Sequence, residues 1–388
     1  MKTYVYKLYN SKRNRYLHEQ ITLYSKVYNH CIALQRRYYR LYGKYPHVYA
    51  IDKHLTKLKK QAKYADWRTL NAQAIQDIAE RIDRAYKLFF KQLKAKTGDE
   101  KKVSPPGFRK SRNYMSFTLK QSGYKLLEGN RIKLGDREYK YFKHREIEGN
   151  IKTVTVRRDQ LGSIYLSITT DYVEPILGVS GTGEMVGCDF GLKTFLTLSD
   201  GNCIESPLFF KRNTKAVKKA NSQLSRKKRG SKNRRKAHKH LNRVHKRVAN
   251  QRSNFHWQLA NKLSDEYDYL FFEDLNIKGM QRLWGRKITD LGFYSFMLKL
   301  KYLAAKKGKI VHNIDRFEPS SKTCSVCGYL YKDLSLKERE WLCPECETLH
   351  DRDLNASYNI LRVGASTLGV DNVRLSNKHL SLITESHD

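Results

Sequence analysis

Long apolar runs are missing from this 388-residue chain, in which nothing approaches the ~18 to 20 uninterrupted apolar residues of a membrane-crossing helix. The opening MKTYVYKLYNSKRNRY also lacks the apolar core of a secretory signal, so a soluble intracellular protein with no membrane partner is expected. Acidic residues are scarce: 38 Asp and Glu stand against 76 Lys and Arg, a formal charge of +38. Such a balance argues against an ordinary enzyme of small neutral substrates and for a polyanionic partner. At 40% hydrophobic and 12% aromatic residues there is enough apolar side chain for real cores, which excludes wholesale disorder, and the length suggests two or three domains. Cysteines number seven, an odd count, and four of them form two CxxC pairs. Metal is favoured over disulfides, with Cys31, Cys188 and Cys203 expected as small buried hydrophobes.

Residues 1 to about 15 alternate like a strand, and Tyr16 to about Lys96 reads as helices, with Ile75, Ile78, Ile82, Ala85, Phe89 and Leu93 on one face. Tyrosine and arginine are dense there, as in Arg36-Arg37-Tyr38-Tyr39-Arg40, and such rings can stack on bases or pack in a helical core. Ser104-Pro105-Pro106-Gly107 breaks the helical period. Short alternating runs follow, among them YMSFTLK, IKTVTVRRD and SIYLSITTDY, the strands of an antiparallel β domain. Because one strand precedes the helices and the rest follow them, the simplest arrangement is a β-barrel (1–15 and 104–176) with a helical lobe (16–103) inserted. Pro175 to Gly183 reads as a linker.

From Glu184 three strands in meander (MVGCDFGL, KTFLTLSDG, NCIESPLFF) lead into a basic segment, helix 254–267, strand YDYLFFEDL, helix 292–307 and strand KGKIVHNID. That order is expected of a ribonuclease H-like domain, here 184–317 and 348–363, followed by a loose tail over 364–388. Asp189 lies in the first of these strands between Val186 and Phe190, and Glu273 ends the LFFE run. Asp353 falls in the first turn of a final helix that Asp351 could cap. Each carboxylate alone could be structural, but together they occupy positions from which ribonuclease H-like enzymes gather metal-binding acids. Two hard cations ~3.5 to 4 Å apart can serve both the attacking and leaving oxygens of a phosphodiester, and carboxylates are the ligands magnesium prefers.

The spacing Cys324-x2-Cys327-x15-Cys343-x2-Cys346 fits a two-knuckle zinc site over residues 318–347, closed by four thiolates and therefore structural. His350 is surplus to that set and is expected as a polar neighbour of the carboxylates. From Lys211 to Arg252 there are 18 Lys and Arg and no acid, including Arg226-Lys227-Lys228-Arg229 and Arg234-Arg235-Lys236. A solvated helix usually alternates signs, so with Leu241, Val244 and Val248 as an apolar stripe this reads as an ordered helix turning its basic face to phosphates.

The blocks GCDFGLKTFLTLSDG, FFEDLNIKGM, SSKTCSVCG, CPEC and DRDLNASYNIL, spanning about Gly187 to Leu361, resemble the signatures of the TnpB (OrfB) family of transposon-encoded RNA-guided DNA endonucleases, relatives of type V CRISPR effectors. SPPGFRKSRNYMSFTL and AYKLFF resemble the family less specifically. The resemblance implies a multidomain α+β protein: an N-terminal β-barrel, wedge-like, with an inserted helical recognition lobe, then a RuvC-type nuclease domain with an arginine-rich bridging segment (211–252) and an inserted zinc ribbon. It implies Asp189, Glu273 and Asp353 as the catalytic acids holding Mg2+ (or Mn2+), and a structural Zn2+ on the four cysteines. Partners would be a guide RNA and double-stranded target DNA, bound by a monomeric protein in a cytoplasmic, nucleoid-associated ribonucleoprotein. The helical lobe would read a short motif beside the target, with Tyr49, Gln73 and Gln76 as candidates, since Gln can pair both its amide atoms with adenine. The competing readings are a catalytically silent RNA-guided binder serving regulation or transposition, and a strand-transfer transposase on the same fold. The intact acidic triad argues against the first, and free rather than joined DNA ends would exclude the second.

Overall fold

Alternation of apolar and polar side chains over the first strand buries Tyr4 and Tyr6 on one face, and that face meets the strands made more than 140 residues later. The computed structural model describes residues 1–95, 103–175, 181, 183–335 and 338–370, in two compact units, Met1–Glu174 and Pro175–Asp388.

In the first unit, strand β1 (Lys2–Lys7) is followed by helices α1 (Asn14–Tyr42), α2 (Val48–Lys59) and α3 (Ala72–Lys94), with a 3-10 stretch at Ala62–Thr69. Gly43, at φ 63°, ends α1 in the left-handed region, and the Asn71 side chain caps α3 by accepting from the Gln73 and Ala74 amides. Strands β2 (Ser116–Leu119), β3 (Tyr124–Leu127), β4 (Arg131–Leu134), β5 (Arg137–Lys140), β6 (Ile151–Arg158) and β7 (Ile164–Thr170) complete it. The strands expected to close one barrel pair as two antiparallel sheets, β1-β7-β6-β2 and β3-β4-β5, touching through the Leu8–Tyr141 bridge. One apolar core, from Tyr4 through Ile78 to Ile168, is shared by helices and strands.

The second unit opens with β8 (Met185–Asp189), β9 (Thr194–Leu198) and β10 (Cys203–Glu205), then α4 (Phe209–Arg212), α5 (Thr214–Ser225) and α6 (Lys232–Glu266). Next come β11 (Tyr269–Glu273), α7 (Ile277–Leu291), α8 (Phe293–Lys306), β12 (Ile310–Ile314), β13 (Glu340–Leu342), β14 (Leu349–Asp351) and α9 (Arg352–Leu368). The main sheet runs β10-β9-β8-β11-β12; the first three strands are antiparallel, while β11 lies parallel to both β8 and β12. Residues 185–188 of β8 are all buried, because the sheet is covered on both faces. Phe272 packs with residues of α6 and α8, and Phe271 with Ile360 and Leu361 of α9. Gly187 is required by that second contact: a Cβ there would sit 2.0 Å from the Ser357 carbonyl oxygen and 2.6 Å from the Leu361 nitrogen.

Several expectations are corrected. The basic segment is not one helix but α4, α5 and the start of α6, and α6 is a single 35-residue helix beginning well before position 254. Helix α7, with its kink at Gly285, was not foreseen. Residues 364–368, read as loose tail, continue α9, since Gly364 and Ala365 pack inward; 371–388 lie outside the described residues. So does most of the expected 175–183 linker.

Candidate active site and metal centre

Asp189 ends β8, Glu273 ends the neighbouring parallel strand β11, and Asp353 stands in the first turn of α9, which packs on β8. A parallel pair of strands brings its carboxyl ends to the same sheet edge, so the two strand acids become neighbours although 84 positions separate them. Burial first, then the negative fields of Asp353 and Glu273, push the Asp189 carboxyl up to about 7, against the pull of Arg352 and Arg339. Glu273 is also raised, by burial and then by Asp274, while Arg316 pulls it down. Asp189 is thus a buried carboxyl on which two further acids act, one of them paired with an arginine, a setting in which a hard cation would favour the ionised form.

Asp351 is the N-cap of α9: its Oδ1 accepts from the Leu354 amide at 2.8 Å. Asp351 is thus engaged with the helix backbone, whereas Asp353 is the α9 acid whose charge acts on Asp189. One participant was missed in the sequence. Arg339, at the entry to β13, donates to both Asp353 oxygens at 2.8 and 3.1 Å. Its own carbonyl accepts from the Arg352 amide at 2.7 Å, which ties it to the start of α9. No local pattern distinguishes Arg339 among the chain's many cations; the β13–β14 pairing alone brings it there.

The four cysteines converge as the spacing predicts. Their sulfurs all lie within 4.8 Å of one another, and no other group of three or more potential ligands does so among the described residues. Cys324 to Cys346 measures 3.7 Å and Cys327 to Cys343 3.6 Å, far beyond a disulfide and close to the ~3.8 Å edge of a tetrahedron with 2.3 Å zinc–sulfur bonds. The donor set thus fits zinc, which four thiolates would enclose without an open position. His350 is not beside the carboxylates, as expected, but at this centre. Its Nε2 lies 3.0 Å from the Cys324 sulfur and its ring packs on Trp341, opposite which it stands in the β13–β14 ladder. Burial lowers the His350 pKa, and with zinc holding Cys324 as a thiolate a neutral ring carrying its proton on Nε2 would donate to it. The knuckle is also tied to α9. Asn355 Oδ1 accepts from the Ser325 amide at 2.9 Å, and Asn355 and Asn359 donate to the Thr323 carbonyl at 2.8 and 2.6 Å.

Among the basic candidates, Arg226, Lys227, Lys228, Arg229 and Arg235 are exposed around the turn from α5 to α6. Arg234 is not available in the same way. Half-buried, it donates to the Leu224 and Lys227 carbonyls at 3.0 and 2.9 Å and so closes that turn. Gln73 is likewise corrected: its Oε1 accepts from the Gln121 and Ser122 amides at 2.7 and 2.9 Å, which removes the acceptor a paired adenine contact requires. Gln76 is exposed on α3, and Tyr49 is 78% exposed in the first turn of α2. Of the lone cysteines, Cys31 and Cys188 are buried as expected, while Cys203 is exposed on β10.

Residues 167–283 match the OrfB_IS605 family model, described as a probable transposase, and residues 293–360 match the Cas12f1-like TNB domain. A Streptomyces pristinaespiralis protein provisionally named an RNA-guided DNA endonuclease is 37% identical over 226 residues, 57% of this chain and 55% of its own length. The chain thus spans about half of that relative. Escherichia coli InsQ, which carries the same provisional name, is 28% identical over 363 residues, covering 88% of this chain and 87% of InsQ. The solved structure of a Cas12f1–sgRNA–target DNA complex matches with a TM-score of 0.52 at 15% identity, covering 89% of this chain and 82% of that one, a likeness of fold. The resemblance to the TnpB (OrfB) family read from the sequence blocks is thereby shown, from the transposase-related region through the segment that carries the four cysteines.

Proposed function

We propose that this chain is an RNA-guided DNA endonuclease with a RuvC-type, two-metal hydrolytic centre. The observation that carries the reading is the placing of Asp189 and Glu273 at the ends of adjacent parallel strands with Asp353 in the first turn of α9, so that Glu273 and Asp353 both raise the proton affinity of buried Asp189, within a chain of formal charge +38. Hard carboxylate oxygens suit magnesium, and Asp189, Glu273 and Asp353 would hold it, with Arg339 released from Asp353 as the ion enters. When bound, the ions supply activation of a water and stabilisation of the leaving oxygen. The protein's own part is to hold three carboxylates at fixed ends of β8, β11 and α9, and to draw the phosphate backbone in with its excess cationic charge. A guide RNA would deliver sequence choice by base pairing, the helical lobe would read the adjacent motif, with exposed Gln76 and Tyr49 as its candidates, and the turn around Arg226 to Arg229 would neutralise backbone phosphates. In this reading the first unit divides into a wedge-like domain of two β-sheets, the expected barrel region (1–15 and 104 onward), and a recognition lobe (16–103). The second combines a RuvC-type domain (184–317 and 348–363) with a zinc ribbon (318–347).

The test is guide-programmed cleavage of supercoiled DNA in magnesium, with target binding measured on the same complexes. Asp189→Ala, Glu273→Ala and Asp353→Ala are each expected to abolish cleavage and leave binding, with non-additive losses because the three act as one site. A wild-type complex that binds its target and never cuts would establish the silent binder instead.

A further inference from the structure

The outer face of α8 has no role in the chemistry above, yet it is not an ordinary solvated helix face. Tyr294, Leu298 and Tyr302 recur every four residues along it and are 66%, 53% and 44% exposed. Trp257 of α6 joins them at 41% exposure, its ring edge-on to Tyr302 at a centroid distance of 6.1 Å. From Phe293 to Lys307 the sequence has no acid and four lysines. Lys301 is exposed at the edge of the stripe, and the Lys299 ammonium stands 5.7 Å from the Trp257 ring centroid. Large rings exposed together make an apolar patch of the kind that marks an interaction surface. A second copy of the chain would set lysine against lysine, in a protein already at +38. Charge complementarity selects a polyanion, and exposed ring faces select one with unpaired bases to stack.

The stripe also has a direction. The ring of Phe293 packs on that of Phe190 at 4.6 Å, and Phe190 follows Asp189, so the Tyr294 end of the stripe is the end beside the carboxylates. We propose that Tyr294, Leu298, Tyr302 and Trp257 form a stacking surface for single-stranded DNA, carrying the strand that is cut; the inference rests on the nuclease reading of the carboxylates. Stacking suits a guide-programmed enzyme because every base has a π face, so a strand of any sequence is held.

The experiment uses the full chain loaded with its guide RNA and a labelled single-stranded DNA of about 20 nucleotides, not complementary to the guide. Tyr294→Ser and Tyr302→Ser are each expected to weaken strand binding by about tenfold, while the Phe variants bind like wild type. Tryptophan emission of wild type should be quenched by the oligonucleotide, and Trp257→Phe should remove that quenching. Unchanged affinity in the double Ser variant overturns the proposal, as does a loss confined to guide RNA or a change in oligomeric state alone. A wild type that holds the strand through these rings but never cuts its programmed target supports the surface and refutes the nuclease reading.

Discussion

The four cysteines and the three carboxylates both connect to α9, the first through Asn355 and Asn359 and the second through Asp353, and they are built in opposite ways. The cysteines are brought together by local spacing, pack at mutual distances that suit one ion, and are supported by a hydrogen bond from His350. The carboxylates come from β8, β11 and α9, and Glu273 and Asp353 raise the proton affinity of Asp189. Four thiolates would contribute folding energy on binding zinc, whereas burying the Asp189 charge costs folding energy, which a bound cation would offset. They are nevertheless joined, since Asn355 and Asn359 fasten the knuckle to the helix that presents Asp353, and Arg339 reaches Asp353 from the same module.

That contrast breaks most visibly at Cys343. Cys343→Ser removes a ligand from a closed site, so zinc content should fall from one per chain to near zero, and the knuckle should lose the ordering its metal supplies. Because β14 runs directly into α9, cleavage should fall with it even though no carboxylate has changed. Metal analysis beside the cleavage assay checks this, and full cleavage by a zinc-free variant would show that the two sites are independent.

The basic turn repeats the same division within a few residues. Replacing Arg226, Lys227, Lys228 and Arg235 with Gln should weaken RNA binding and flatten its dependence on salt by roughly 0.7 in log–log slope per lost phosphate contact. Arg234→Gln should instead lower thermal stability, because its guanidinium holds the Leu224 and Lys227 carbonyls. Titrations at several salt concentrations, run beside melting curves, separate the two classes. An unchanged slope in the fourfold variant would mean that those side chains face solvent.

Much of this was legible in the sequence, for physical reasons that differ by element. Cys324 to Cys346 could be read because metal geometry constrains spacing, and Asp351 because a cap and its helix are adjacent in the chain. The strand meander at 185–205 showed through apolar runs and turn residues. Arg339, Gln73 and Arg234 could not be read, since their roles depend on partners that only folding supplies: Asp353, the amides of 121 and 122, and the end of α5. The single long α6 was hidden because its first half has the composition of a polyanion-binding segment and its second half an apolar stripe, so one helix presented two patterns. His350 was assigned to the wrong site because sequence distance favours Asp351 and Asp353, whereas the β13–β14 ladder turns its ring to Cys324.

A smaller effect of opposite sign should appear at Asp189. Its folded-state pKa is raised to about 7 from an ordinary value of 3.8, so between those values the folded chain binds the proton more tightly than the unfolded one. Stability of metal-free protein therefore declines as pH rises through that window, and the whole penalty is present above about 7. Asp189→Asn removes the ionisable group and should raise the melting temperature at pH 8 on the order of 5 °C, with little gain at pH 5. Cleavage is lost in the same variant. A melting temperature that falls equally at both pH values would mark Asp189 as a structural carboxylate like Asp351.

Asp351 gives the least effect and the finest division, because it lies two residues from Asp353 and performs the opposite task. Its side chain satisfies the Leu354 amide, one of the donors left open at the start of α9. Asp351→Ala should cost about 1 kcal/mol of stability, the usual value of an N-cap, while Asp351→Ser or Asp351→Asn should restore most of it, since either can cap without a charge. Cleavage should persist in all three, reduced only as far as fraying of the first turn displaces Asp353. The same substitutions at Asp353 should change stability little and abolish cleavage, because the lost group there is a charge acting on Asp189 and the partner of a partly exposed Arg339, not an acceptor for the helix. Melting curves and cleavage rates measured across the six variants decide the matter: if Asp351→Asn is stable but does not cut, the third carboxylate of the site is Asp351, and its capping bond is secondary.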